Sequence, residues 1–325
     1  MQEFVIDVAK AGKLRHASRL GVEPFLASLA KPTADLARAP ISKFQVGAVG
    51  LGVSGRIFLG VNLEFPKLPL NHSVHAEQFL VANALQHGEK RLVFIAVSAA
   101  PCGHCRQFLQ ELRDAGDIRL LITDGKDPQV RPLSYFLPHR FGPDDLMSRN
   151  FPLLLESRSN DLILVNSAMS EINFDISREE TNEDLAEKDS KKRDLLKEAS
   201  FGAWLRDNKH SLVDLKLAAF AAANASYAPY SRCPSGASLV TRKGQVYSGS
   251  YIESAAYNPG LPALQAAIVA FICGGGGAYD EIDTVIIVER KGALVRHAPT
   301  ARLALQSIAP QAAFHHFEVD VQSRE

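Results

Sequence analysis

Residues 41–60, ISKFQVGAVGLGVSGRIFLG, recur in outline as residues 230–249, YSRCPSGASLVTRKGQVYSG. At one constant spacing Ser42 meets Ser231, Gly47 meets Gly236, Ala48 meets Ala237, Gly55 meets Gly244 and Gly60 meets Gly249. The match extends outward. Pro40 of RAP (38–40) aligns with Pro229 of YAP (227–229), and Glu64 aligns with Glu253. After a two-residue gap, HAEQFLVANAL (75–85) meets PALQAAIVAFI (262–272). Self-similarity over so long a span marks a repeated unit, so the chain reads as one domain duplicated.

Inside each copy, apolar residues alternate across a glycine turn, which predicts two paired strands. An alanine-rich helix such as Leu215 to Ser226 precedes them, and a second helix starts near His75 in one copy and Leu264 in the other. A buried strand follows, RLVFIAVSAA or DTVIIVER, and then a third helix. Strands interleaved with helices predict an α/β fold, each copy a mixed sheet covered by helices in α/β/α layers. The expected boundaries are an N-terminal helical extension over 1–37, the first domain over 38–160, a linker over 161–208 and the second domain over 209–325. The linker contains SREETNEDLAEKDSKKRDLLKEAS (177–200), mostly charged and without an aromatic residue, which reads as a linker or a solvated helix.

Composition narrows the function classes. A chain of 325 residues, 46% apolar, has room for two cores. Lysine plus arginine (36) balance aspartate plus glutamate (36), so there is no overall positive field to gather nucleic acid or an anionic membrane surface. No stretch approaches the roughly 20 apolar residues of a membrane span, and Asp7, Lys10, Lys13 and Arg15 interrupt any secretory core near the start. Four cysteines, two of them in one Cys-x-x-Cys, fit an intracellular metal or redox use, which makes the cytosol the expected compartment.

The chemistry-bearing residues lie in the first copy. His75-Ala76-Glu77 opens one helix, and Pro101-Cys102-Gly103-His104-Cys105 opens another. Sulfurs three residues apart on a helix share a face, and a helix start favours the thiolate that binds metal. With His75 they would give zinc three ligands and one open position, the catalytic arrangement. A lone Cys-x-x-Cys also fits a redox pair or half a structural zinc site; Cys233 and Cys273 are single and read as core residues. His104 reads as a surface residue or one behind the ligands, and His72 as a loop residue. Zinc would lower the pKa of its bound water toward about 7, and Glu77, offset from His75 and not a ligand, would carry the proton. His-x-Glu followed by Pro-Cys-x-x-Cys is the signature of zinc deaminases.

These residues, with ISKFQVGAVG, VNLEFP, HSVHAEQ, APCGHCRQFLQEL and LPHRFGPDDL in the first copy and YAPYS, CPSG and ESAAYNPGLP in the second, resemble the cytidine deaminase family in its long two-domain form. The resemblance covers nearly the whole chain apart from the N-terminal residues and the charged linker. It implies hydrolytic deamination of cytidine and deoxycytidine to uridine and deoxyuridine in pyrimidine salvage, with one zinc per chain held by His75, Cys102 and Cys105. Zinc-bound hydroxide would attack the amino-bearing carbon while Glu77 shuttles protons. It further implies that Asn62, Leu63 and Glu64 hold the ribose, that Phe44 stacks on the pyrimidine, and that Ala76 and Ala100 meet the base edge through their backbones. Gln78 stands where relatives with three cysteine ligands carry arginine. The second copy has Pro262 for His75 and Leu264 for Glu77 and no Cys-x-x-Cys after its buried strand; the resemblance gives it a part in a homodimer with shared active sites. On the residues alone Phe44 would be a core aromatic, and Glu253 indicates that a glutamate at that position needs no zinc nearby. Rival readings are a CMP or dCMP deaminase, a nucleic-acid cytosine deaminase, which would need a basic aromatic-lined channel, and a non-catalytic zinc scaffold.

Overall fold

The computed structural model, which describes residues 3–125, 128–164 and 211–321, shows why the repeated glycines are glycines. The first half runs β1 (Val5–Ile6), α1 (Val8–Ser18), α2 (Val22–Ala34), β2 (Gly47–Gly52), β3 (Ile57–Val61), α3 (Ala76–Gln86), β4 (Leu92–Val97), α4 (Gly103–Phe108), β5 (Arg119–Ile122), β6 (Arg131–Pro132), α5 (Leu133–Phe136) and α6 (Pro143–Leu146). The second runs β7 (Leu162–Ile163), α7 (Leu212–Asn224), β8 (Ser235–Thr241), β9 (Val246–Ser250), α8 (Ala263–Cys273), β10 (Ile282–Arg290), α9 (Ala298–Ile308) and β11 (Ala313–Val321). A Cβ on Gly47 would fall 2.3 Å from the Ala30 carbonyl oxygen of α2, and one on Gly236 2.3 Å from that of Ala219 in α7. Likewise Gly60 would meet the Ala76 oxygen of α3 at 2.3 Å, and Gly249 the Ala267 nitrogen of α8 at 2.0 Å. Backbone lies on backbone at these four points, so no side chain fits.

The two sheets have matching centres. Their orders are β1-β3-β2-β4-β5-β6 and β7-β11-β10-β8-β9, which share the run β3-β2-β4-β5, equivalent to β9-β8-β10-β11. Ala48 pairs antiparallel with Gly60 and Val97, and Ala237 with Gly249 and Ile287. The fourth strand is parallel to the third in both. Gly47 and Gly60 put α2 and α3 on opposite faces of the first sheet, and Gly236 and Gly249 do the same for α7 and α8. This is the α/β duplicated fold read from the sequence.

α3 and α8 lie between the sheets and pack on each other. Residues Ala76 to Ala84 of α3 are all buried, as are Ala263 to Val269 of α8. α8 is apolar nearly all round, as a helix inside should be, while α3 buries Gln78 and Asn83 on backbone carbonyls, and the two join the halves through one continuous core.

Two expected boundaries are redrawn. α2, placed by the sequence in an N-terminal extension, covers the first sheet as α7 covers the second, and β1 adds an edge strand beside β3. Leu162–Ile163, assigned to the linker, pairs with the end of β11. The charged stretch 177–200 lies outside the described residues.

Candidate active site

Two helix starts bring the three candidate ligands together. His75 is the N-cap of α3, where Gln78 Oε1 accepts its backbone N–H at 3.0 Å; Cys102 is the N-cap of α4, and Cys105 lies in the first turn. His75 Nδ1 is 3.5 Å from Cys102 Sγ and 3.3 Å from Cys105 Sγ, and the sulfurs are 3.7 Å apart. With bonds of about 2.3 Å to sulfur and 2.1 Å to nitrogen, a tetrahedral zinc ion separates two sulfurs by about 3.8 Å and sulfur from nitrogen by about 3.6 Å. The triangle could therefore hold such an ion with little movement. A disulfide needs about 2.05 Å between sulfurs, and both cysteines are free.

The electrostatics suit a cation. Hydrogen bonds with Cys105 and His75 push the Cys102 thiol down to about 3, while the Cys102 bond and burial drive Cys105 up. Glu77, 3% exposed, has its pKa raised by burial.

A cavity of about 300 Å³ opens beside these groups, and Phe44, Asn62, Glu64, His75, Ala76, Glu77, Ala100 and Cys102 all face it. Cys105, fully buried, stands behind Cys102. Leu63 differs: its side chain is fully buried, and its backbone exchanges hydrogen bonds with Val74. Phe44 is 61% exposed at the rim, so it is not the core aromatic its alternation implied.

The ribose candidates also hold their own loop. Asn62 Oδ1 accepts from Val46 N at 2.8 Å, and Nδ2 donates to the Phe44 carbonyl at 2.9 Å. Glu64 accepts from Ile41 N at 2.8 Å, from Ser42 N at 3.0 Å and from the Ser42 hydroxyl. Burial raises the Glu64 pKa, but the bonds from Ser42 and Ile41 outweigh it and the net shift is downward. Glu253 accepts the same three bonds from Tyr230 N, Ser231 N and the Ser231 hydroxyl.

Ser42 and Glu111 escaped the sequence reading as site residues, while His104 takes the second of the two places it offered, behind the ligands. Ser42 supports Glu64, and its signal was present, because Ser and Glu recur together as Ser231 and Glu253. The His104 ring is 5.3 Å from that of His75, and a ring nitrogen lies within 4.8 Å of the His75 and Cys105 ligand atoms. Its Nε2 donates to the Asn258 carbonyl at 2.9 Å. Glu111, fully buried, accepts from Tyr227, Tyr230 and Ala255 of the second half; nothing in its local sequence signals this.

The corresponding place in the second half is filled by its own side chains. His297 caps α9 where Cys102 caps α4, and it packs on Tyr251, the counterpart of Asn62, at 4.3 Å between rings. The buried Glu289 carboxylate accepts from His297 N at 2.6 Å and from Ala298 N at 3.2 Å.

Comparisons with known proteins agree along the chain. Two family profiles, both described as the cytidine and deoxycytidylate deaminase zinc-binding region, match residues 23–119 and 133–302. Cytidine deaminase 1 of Arabidopsis thaliana is 48% identical over 97% of this chain and 97% of its own. The cytidine deaminase of Pectobacterium carotovorum subsp. carotovorum is 35% identical over 93% of this chain and 84% of its own. A solved cytidine deaminase from Burkholderia pseudomallei is 30% identical and matches with a TM-score of 0.34, covering 38% of this chain and 100% of that one.

Proposed function

The chain belongs to the cytidine deaminase family in its long two-domain form, and from that premise we propose that it hydrolyses free cytidine and deoxycytidine to uridine and deoxyuridine, releasing ammonia. The observation that carries this is the triangle of His75 Nδ1, Cys102 Sγ and Cys105 Sγ, with sides of 3.5, 3.3 and 3.7 Å, beside the buried Glu77 carboxylate. One imidazole and two sulfurs at these distances fit zinc, one ion per chain, with His104 behind them and Glu77 outside the ligand set. Zinc bound there would activate water at neutral pH.

The protein's own groups do the rest. Glu77 takes a proton from the water and gives it to the ring nitrogen beside the amino-bearing carbon. Once the oxygen has added to that carbon, Glu77 takes the remaining hydroxyl proton and passes it to the amine, so the C–N bond breaks, ammonia leaves and the new C–O bond becomes a carbonyl. Phe44 stacks on the pyrimidine at the rim, and the Ala76 and Ala100 backbones meet the base edge. Asn62 and Glu64 take the sugar hydroxyls with the lone pairs that their loop bonds leave free. The buried Leu63 contributes through its backbone, holding the two side chains on either side of it toward the cavity. A neutral chain with a ribose-facing carboxylate suits a free nucleoside better than a nucleic acid.

In the same reading the second domain lacks a metal site and the protein is a homodimer with shared active sites. The exposed Phe44 and Leu70 at the pocket, and Tyr257 at 74% exposure, support a partner surface there. Pyrimidine salvage in the cytosol is the role that the substrate and the free cysteines support; no helix of the described residues is long and apolar enough to cross a membrane. An ultraviolet assay of cytidine, deoxycytidine, CMP and a cytosine oligonucleotide, with and without chelator, tests the proposal. Turnover of the first two alone, lost with chelator, is expected; preference for CMP or the oligonucleotide would overturn it.

A further inference from the structure

Among the described residues the second half has no counterpart of the His75, Cys102 and Cys105 set, its one ligand-type cluster being Glu289, His316 and Glu318, yet one of its loops reaches both helix starts that present the first half's ligands. Gln78 Nε2 donates to the Pro259 carbonyl at 2.9 Å, a buried bond, and His104 Nε2 donates to the neighbouring Asn258 carbonyl at 2.9 Å. A carbonyl only accepts, so the first bond fixes which way the Gln78 amide faces. It leaves Oε1 toward His75 N, the bond that caps α3 at the candidate ligand. The second bond fixes the His104 ring, which lies against that of His75.

The loop is itself anchored from the first half. Glu111 follows α4 by one short 3-10 turn, and its Oε1 accepts from Ala255 N at 2.7 Å. Its Oε2 accepts from the Tyr230 hydroxyl at 2.6 Å and the Tyr227 hydroxyl at 2.9 Å. The path from Cys105 along the chain to Glu111, across to Ala255, along the loop to Asn258 and back to His104 is a closed ring. Groups that hold ligands in place commonly set metal affinity as well as geometry.

We propose that the Ala255–Pro259 loop is a main-chain brace for the metal-holding residues of its own chain, and that Glu111 is the positioning residue that sets the brace. The proposal rests on His75, Cys102 and Cys105 being the ligands, as argued above. It gives the second domain a task within each chain, separate from any contact it makes with a partner.

The test uses the full-length zinc-loaded protein and follows zinc transfer to a coloured chelator, kcat and KM for cytidine, and thermal unfolding. Gln78→Glu keeps the acceptor for His75 N but sets a carboxylate against the Pro259 carbonyl. Glu111→Gln keeps the shape and weakens the anchor, and Tyr230→Phe removes one donor of three. Gln78→Glu and Glu111→Gln should release zinc about 10- to 100-fold faster, with kcat reduced and KM nearly unchanged, and Tyr230→Phe should fall between them and the parent. If Glu111→Gln does not fold, Gln78→Glu decides alone. Zinc release within about twofold of the parent in folded Gln78→Glu would reduce the loop to packing and end the proposal. Cys102→Ala separates the two failures. If it holds zinc as tightly as the parent, the ligand assignment is wrong and the brace falls with it; if it loses zinc while Gln78→Glu does not, only the brace is wrong.

Discussion

Glu77 and Glu64 are both buried carboxylates at one cavity, but their surroundings set them different work. Burial raises the Glu77 pKa, whereas that of Glu64 is lowered, so Glu77 is the stronger base of the two. Glu77→Gln should keep zinc in metal analysis while kcat falls by about 10² to 10⁴; loss of the metal would make Glu77 a ligand instead. Glu64, held below its ordinary range by three donors, stays ionised and accepts. Because Glu253 accepts the same three bonds, Glu253→Ala measures the loop-holding part alone. Both alanine variants should lose stability to a similar degree, about 1 to 3 kcal/mol from donors left unpaired, and only Glu64→Ala should raise KM for nucleosides. Equal kinetics for the two would remove the ribose role. At this scale the ligands were legible because their spacing is local and helical. Phe44 was half legible: alternation placed it in a strand, but the strand begins at Gly47. Ser42 and Asn62 side chains instead take the backbone groups of residues 44 to 46, which leaves the ring outside the ladder.

Among the elements, the repeat could be read because helix–strand contact forbids a side chain at Gly47, Gly60, Gly236 and Gly249. Alanine at Gly60 or Gly249 meets backbone on the far side rather than a side chain that can swing away. Each substitution should destabilise by about 1 to 3 kcal/mol or more, read as a lower midpoint in denaturant; an unchanged midpoint would mean that the helices can retreat. α2 was expected as a helix but assigned to the extension, because only its contact with Gly47 places it on the sheet. Pro32 sits inside it, and an internal proline argues for a helix end, although the last turn tolerates it here. At the corresponding place in the second half, burial raises the Glu289 pKa, but the His316 ring nitrogen 2.9 Å away, the Arg296 guanidinium and His297 N together take it down to about 2. A carboxylate whose pKa falls on folding contributes stability that is complete above its ordinary value of 4.5 and vanishes as pH drops through about 2. The unfolding midpoint of Glu289→Gln should therefore fall less steeply than that of the parent below pH 4.5; parallel curves would show that Glu289 does not titrate with folding.

For the whole molecule, one intact ligand set predicts about one zinc per chain by metal analysis, and light scattering should give twice the 35.4 kDa chain mass. Mixing Glu77→Gln chains with Tyr257→Asp chains should restore activity if sites are shared; a mixture that exchanges subunits and stays inactive would end that reading. Duplication was legible at this scale, but the way the halves meet was not, because α3 and α8 read alike as apolar helices and nothing in either names the other as its neighbour. That meeting has a consequence for synthesis. Roughly 190 residues separate the two helices in the chain, and at 5–20 residues per second the ribosome needs about 10–40 s to supply the second. Through that interval the exposed flank of α3, which later lies against α8, has no cover. A nascent chain of this protein should thus be a client for chaperones until its last third emerges, and messages cut short before α8 should yield insoluble product rather than a smaller enzyme.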